Sequence, residues 1–82
     1  MPRYFFHLRC EGKDVDDPSG AELRDPDQAW EAARAAARDL MEGQPAAEVN
    51  WVACRFEVTD EDGDIVFELP FSEAIELKPK LN

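Results

Sequence analysis

The sequence predicts an α+β domain: a small antiparallel sheet of two hairpins, in ββαββ order, with one helix packed on one face. Three observations lead there. Val52, Cys54, Phe56 and Val58, then Ile65, Phe67, Leu69 and Phe71, recur every second residue on either side of Asp60-Glu61-Asp62-Gly63. Period two with one apolar face is the pattern of a half-buried antiparallel strand, and a Gly-containing acidic turn joins the pair. Tyr4, Phe6, Leu8 and Cys10 alternate in the same way near the start. Between these strands lies an alanine-rich segment with helical spacing.

The first strand covers 3–10, with Tyr4, Phe6, Leu8 and Cys10 on one face and Arg3, Phe5, His7 and Arg9 on the other. Glu11-Gly12-Lys13 turns the chain, and 14–17 is polar enough to serve only as a short edge strand. Asp17-Pro18-Ser19-Gly20 fits a type I turn, with Asp at the first position, Pro at the second and Gly at the fourth. Residues 21–24 run extended into the helix.

The helix is predicted over 26–42. Asp25 is its N-cap, Pro26 its first residue and Asp27 a carboxylate for the dipole; Gln28 completes a capping box. Ala29, Trp30, Ala33, Ala36, Ala37, Leu40 and Met41 form the apolar face, and Gly43 with Pro45 ends the run. Small alanines let the helix approach a sheet closely, with Trp30 as the large anchor. A loop over 44–50 leads to the second hairpin.

In that hairpin a four-residue loop pairs Val58 with Ile65, Phe56 with Phe67 and Cys54 with Leu69, all on one face. Gly63 supplies the positive φ at the end of the loop. Ser72 caps one further helical turn through Leu77. The domain is then 1–77, and 78–82 is a tail. The expected core is Tyr4, Phe6, Leu8, Trp30, Ala33, Leu40, Val52, Phe56, Val58, Ile65, Phe67 and Leu69.

At 82 residues the chain is one small domain, burying roughly 60% of its unfolded surface. Met1-Pro2-Arg3 leads directly into a strand, with neither a signal-peptide core nor a membrane span, so a cytoplasmic location is expected. Cys10 and Cys54 are then expected as reduced thiols serving as small buried hydrophobes. A net charge of −10, from 19 acidic and 9 basic residues, opposes binding to nucleic acid or anionic membranes. Solubility accounts for that charge more simply than mimicry of a nucleic acid.

No constellation for catalysis, cofactor binding or metal binding emerges. His7 is the lone histidine and has no matched set of zinc ligands or nucleophile beside it. Asp14, Asp16 and Asp17, and Asp60, Glu61, Asp62 and Asp64, suggest calcium. An EF-hand begun at Asp60 nevertheless fails, because Gly falls at position 4 and Phe71 at position 12. Turn chemistry explains the second cluster.

The opening Met1-Pro2-Arg3-Tyr4-Phe5-Phe6-His7-Leu8 resembles the start of a family of short rhizobial and other alphaproteobacterial proteins. The stretches Glu57-Val58-Thr59-Asp60-Glu61-Asp62-Gly63 and Leu69-Pro70-Phe71-Ser72-Glu73-Ala74 are similar to its second half. That family is of unknown function. The resemblance implies a bacterial, stand-alone domain, and no activity or functional residues to carry over.

What remains is a surface. One helix covers one face of the sheet, and alternation places Phe5, His7, Arg9, Trp51, Arg55 and Val66 on the other. Exposed Trp and Arg are typical of binding hot spots. The sequence therefore predicts a non-catalytic interaction or structural domain that self-associates through this face, as a homodimer, or holds another protein there. The alternative is a small enzyme or ligand-binding protein whose site forms at a dimer interface, using His7 with Glu57 or Glu68.

Overall fold

The computed structural model describes residues 1–43 and 50–74. Its elements run β1 (Arg3–Cys10), β2 (Lys13–Val15), β3 (Ala21–Glu22), α1 (Pro26–Gly43), a 3-10 turn at Trp51–Ala53, β4 (Arg55–Thr59), β5 (Ile65–Pro70) and α2 (Phe71–Ala74). The sheet is antiparallel in the order β2-β1-β4-β5, and β3 shares the β2 edge of β1 nearer its start. This is the α+β architecture expected, with one main helix on a small sheet. No helix among the described residues is long and apolar enough to cross a membrane.

The helix starts where its sequence signals place it. Asp25 Oδ1 accepts the Gln28 N–H at 2.8 Å, and the Gln28 side chain reaches back to accept the Arg24 N–H at 2.6 Å. This is a capping box displaced by one residue on its return arm. Ala29, Ala33 and Ala37, one turn apart, are fully buried and form the line of contact with the sheet. Trp30 packs edge-on against Phe67, with centroids 5.1 Å apart. Leu40 falls to the flank of that line and is 38% exposed, outside the core expected of it.

An aromatic chain forms the centre of the core. Trp51 stacks on Phe71 with centroids 5.2 Å apart, Phe71 meets Phe56 at 5.0 Å, and Phe56 meets Phe6 edge-on at 6.2 Å. Phe71, Leu69 and Val58 are the largest fully buried side chains. Ahead of β4 alternation misplaces two residues, Val52, expected in the core, and Trp51, expected on the opposite face. Counting back in twos from Cys54 turns Val52 inward and Trp51 outward, but the chain there is a 3-10 turn. Ala53 N–H donates to the Asn50 carbonyl and Cys54 N–H to that of Trp51. The tighter turn buries Trp51 and leaves Val52 73% exposed.

The second hairpin keeps its expected faces but slides by two residues. Val58 pairs with Phe67 and Phe56 with Leu69, while Thr59 pairs with Ile65, so Val66 is an extra residue on the β5 side. Such a bulge accommodates a longer loop over 60–64, closed by Asp60 N–H to the Asp64 carbonyl and Gly63 N–H to that of Asp60. Gly63 has the positive φ expected, 85°. Pairing with Thr59 carries Ile65 onto the face of Thr59, away from the helix, where it is 56% exposed rather than in the core. Val66 is half-buried and packs against the core cluster.

The cysteines correct the expectation of two reduced thiols. Phe5 pairs with Thr59, Leu8 with Phe56 and Arg9 with Arg55, so the next step of that register sets Cys10 directly across from Cys54. They are joined in a disulfide, with Cα atoms 4.1 Å apart. Alternation places each cysteine on the helix side, but not the two against each other; only the strand pairing does that. The short helix also starts earlier than expected, with Phe71 rather than Ser72 leading it. Its expected continuation over 75–77, the tail over 78–82 and most of the 44–50 loop lie outside the described residues.

Truncating the aromatic chain should be costly. Phe56→Ala and Phe71→Ala are each expected to lose about 3–5 kcal/mol in urea unfolding. Val52→Ala should stay within about 0.5 kcal/mol, as for an ordinary surface change. A large loss at Val52 would place that side chain back in the core.

Candidate functional site

The sheet face away from α1 is built from alternate residues of three strands. Cross-strand pairing puts Phe5 beside Thr59, His7 beside Glu57 and Arg9 beside Arg55. The Phe5 and His7 rings run parallel, 7° apart in plane with centroids at 6.4 Å. Arg9 joins two elements: its Nη1 donates to Asp16 Oδ1 at 2.7 Å, and its Nε and Nη2 both donate to Glu57 Oε1 at 3.3 and 3.2 Å. Arg55 faces Glu68 on β5 at 3.6 Å, and Arg3 bonds Glu22 at 3.1 Å. The Arg9–Glu57 pair is sheltered, with each side chain about a fifth exposed; Asp16 is three-quarters exposed. The hydrogen bond from Arg9 holds the Asp16 carboxyl below its ordinary pKa.

One edge of β1 is interrupted, and a side chain fills the interruption. β3 pairs at Tyr4 and β2 pairs at Leu8, so the connection between them leaves the sheet opposite Phe6. The Phe6 N–H points into that gap and is taken by Asp17 Oδ2 at 3.1 Å. Asp17 Oδ1 accepts the N–H groups of Ser19 and Gly20, both at 3.1 Å, which curls the chain back into β3. Gly20 must be glycine here. Its φ is +71°, and a Cβ would lie 2.8 Å from the Tyr4 carbonyl oxygen and 2.9 Å from the Phe5 ring. Burial pushes the Asp17 carboxyl up, but the N–H groups of Phe6, Gly20 and Ser19 together outweigh it and hold the pKa below 3.8.

The same connection sets the state of His7. The Asp17 backbone N–H donates to His7 Nδ1 at 3.1 Å. In the neutral ring the proton is therefore assigned to Nε2, which donates to Thr59 Oγ1 at 3.2 Å. A histidine that activates a hydroxyl needs the reverse arrangement, a bare Nε2 and an acceptor on Nδ1. The Asp16 carboxylate stands 3.7 Å from Nδ1, beyond a hydrogen bond, and the backbone donor occupies that position instead. With these partners, His7 ties β1 to β4 and to the 16–20 connection; it is not set up as a base toward Thr59.

Of the residues the sequence assigns to an interaction surface, Phe5, His7, Arg9 and Arg55 come together on this face. Trp51 does not: it is 8% exposed and stacked in the core. Val66 is half-buried against the core cluster. Asp17, Gly20 and Thr59 were missed as parts of the site. The turn signal Asp17-Pro18-Ser19-Gly20 marks the first two, read as local structure only; Thr59 carries no signal apart from the register.

Asp60, Asp62 and Asp64 also gather, each able to place a carboxylate oxygen within 4.8 Å of the others. The turn itself accounts for this. Asp60 Oδ1 already accepts the N–H groups of Asp62 at 2.9 Å and Asp64 at 3.0 Å. Those bonds shape the loop and hold the Asp60 side chain within it.

Removing the Asp17 acceptor should destabilise the fold by about 1–3 kcal/mol in Asp17→Ala, because it strands a donor at the sheet edge. The lowered carboxyl also gives a pH dependence. Its stabilisation is complete above the unfolded pKa near 3.8 and is lost as pH falls through the lower folded value. Asp17→Asn should therefore show a shallower loss of stability in urea unfolding between pH 4 and pH 2, on the order of a single-proton effect. An unchanged acid slope would remove Asp17 as a source of that dependence. Gly20→Ala should lose at least about 1 kcal/mol.

Comparison with curated proteins and with solved structures returns no match. A family model described as a domain of unknown function, DUF6894, matches residues 3–72. That span runs from the first residue of β1 into α2 and takes in the whole sheet, α1 and the uncovered face, so the chain belongs to the DUF6894 family.

Proposed function

We propose that this is a non-catalytic interaction domain that self-associates through the sheet face left uncovered by α1. The observation that carries this reading is the charge arrangement of that face. In a chain of net charge −10, its arginines Arg3, Arg9 and Arg55 are each bridged to a carboxylate of the same face. The 60–64 turn, by contrast, carries four carboxylates and no cation. A second copy approaching this strongly acidic protein meets the least repulsion where charges are already paired. Alternating Arg and Glu across β1, β4 and β5 can also meet their opposites about a two-fold axis.

Phe5 and the exposed Ile65 supply apolar surface within the same patch. The partner is therefore protein, most simply this chain itself, rather than nucleic acid or membrane. The His7 geometry supports a binding role over a catalytic one, since its ring is engaged on both nitrogens.

Sedimentation at micromolar concentration tests this. The parent is expected as a dimer, Arg55→Glu as a monomer with unchanged melting, and Val52→Glu as a dimer. Arg55 suits the test because its side chain is 44% exposed and its reversal disturbs little of the fold. A monomeric parent, or a dimer indifferent to Arg55→Glu, would overturn the reading.

A further inference from the structure

We infer that Cys10 and Cys54 form a reversible dithiol–disulfide couple that is made and broken in the folded chain, with Cys10 the exchanging sulfur and Cys54 the resolving one. Three independent features lead to this. The first is register. The Phe71 N–H donates to the Cys54 carbonyl, and the Cys54 N–H closes the 3-10 turn on Trp51, so Cys54 turns its carbonyl toward β5, in phase with Phe56 and Val58, and gives no backbone bond to β1. Arg55, Glu57 and Thr59 must then serve β1, and the Cys10/Cys54 position is a non-hydrogen-bonded pair on that ladder. In such pairs the two side chains stand closest together. The Leu8–Phe56 and Phe6–Val58 pairs hold that alignment without help from the sulfurs. Breaking the bond thus leaves both thiols facing each other, ready to re-form it.

The second feature is unequal access. Cys54 is 3% exposed and belongs to the core, whereas Cys10 is only partly buried at the outer end of β1, one residue before the turn into β2. An incoming thiolate can reach Cys10 Sγ far more readily than Cys54 Sγ. Lys13 lies directly across from Cys10 on β2, so a cation shares its side of the ladder. The third feature is that the reduced state is provided for. The Asn50 carbonyl lies 3.6 Å from Cys54 Sγ, an acceptor for the S–H that appears on reduction.

The exchange balances with a low-molecular-weight thiol as reductant. Its thiolate attacks Cys10 Sγ, the bond between the cysteines breaks, and the electron pair leaves on Cys54 Sγ, which takes a proton from water. A second thiolate attacks the small-molecule sulfur of the mixed disulfide and releases Cys10 as a thiolate, which takes a proton from water in its turn. Two thiols are oxidised to one small disulfide, and the protein gains two electrons and two protons. Oxidation by a small disulfide runs the same steps in reverse. The staple joins β1 to the entry of β4 immediately after the turn that holds Trp51 on Phe71. Redox state therefore reports directly on how firmly that end of the core is held, independently of any self-association.

The test uses the full chain with glutathione. Cys54→Ala treated with oxidised glutathione should accumulate a mixed disulfide at Cys10, seen by mass spectrometry, because no resolving thiol remains. Cys10→Ala should form one at Cys54 at least about tenfold more slowly. If either variant melts below the assay temperature, the reduced parent is alkylated briefly under native conditions and mapped by peptide. Cys10 is expected to carry most of the label. Reduction of the oxidised parent should also outpace its global unfolding, and the reduced form should melt several degrees lower while keeping its far-UV circular dichroism. Equal or faster modification of Cys54, or a bond reduced only at the rate of global unfolding, would overturn the assignment.

Discussion

The register between β1 and β4 is the constraint on which the rest of this molecule depends. Five consecutive pairs, from Phe5 with Thr59 to Arg9 with Arg55, decide which side of the sheet every neighbouring residue meets. They bring His7 to Thr59 and Arg9 to Glu57 on one face. On the other they bring Phe6 against Phe56, and Cys10 against Cys54 at the end. A slip of one residue would exchange the two faces along the whole strand. The buried face resists that slip, because it would turn Val58 and Phe56 out of the apolar core and bring Glu57 and Arg55 in as buried charges.

Asp17 protects this arrangement at its weakest place. β1 is a central strand whose outer edge is served by two short partners with a break between them. An unpaired N–H at Phe6 would be a defect in the strand that sets the register. A carboxylate is a stronger acceptor than the carbonyl it replaces. It also gathers the 17–20 turn around itself, and the backbone N–H of the same residue fixes the His7 ring. Local turn chemistry and long-range strand order are thus joined in one side chain.

Much of this was legible in the sequence, and the losses have a common origin. Strands, helix and helix cap were visible because each rests on local signals: period two, period 3.6, and the Asp25-Pro26-Asp27-Gln28 start. Trp51, Val52 and Ile65 were misplaced because alternation was carried through a 3-10 turn and a bulge, where one residue more or less reverses the side. The cysteine pair was invisible for a different reason. Each cysteine lay correctly on the helix side, but which strand neighbours which is decided by tertiary packing and not by spacing along the chain. Asp17 was recognised as a turn residue, yet its bond to Phe6 spans two elements and leaves no local mark.

The two faces of the sheet therefore differ in kind. The face under α1 is closed by shape, with small alanines bringing the helix down and aromatic rings, Leu69 and Val58 filling what remains. The opposite face is closed by charge: Arg9 is held by Asp16 and Glu57, and Arg55 by Glu68. The exposed Arg55–Glu68 pair adds little stability at the surface, so stability alone is a weak reason to build it. What these pairs do achieve is a rigid pattern of alternating sign, with side chains whose rotamers are already restricted before anything docks. A surface prepared in that way loses less conformational entropy on association.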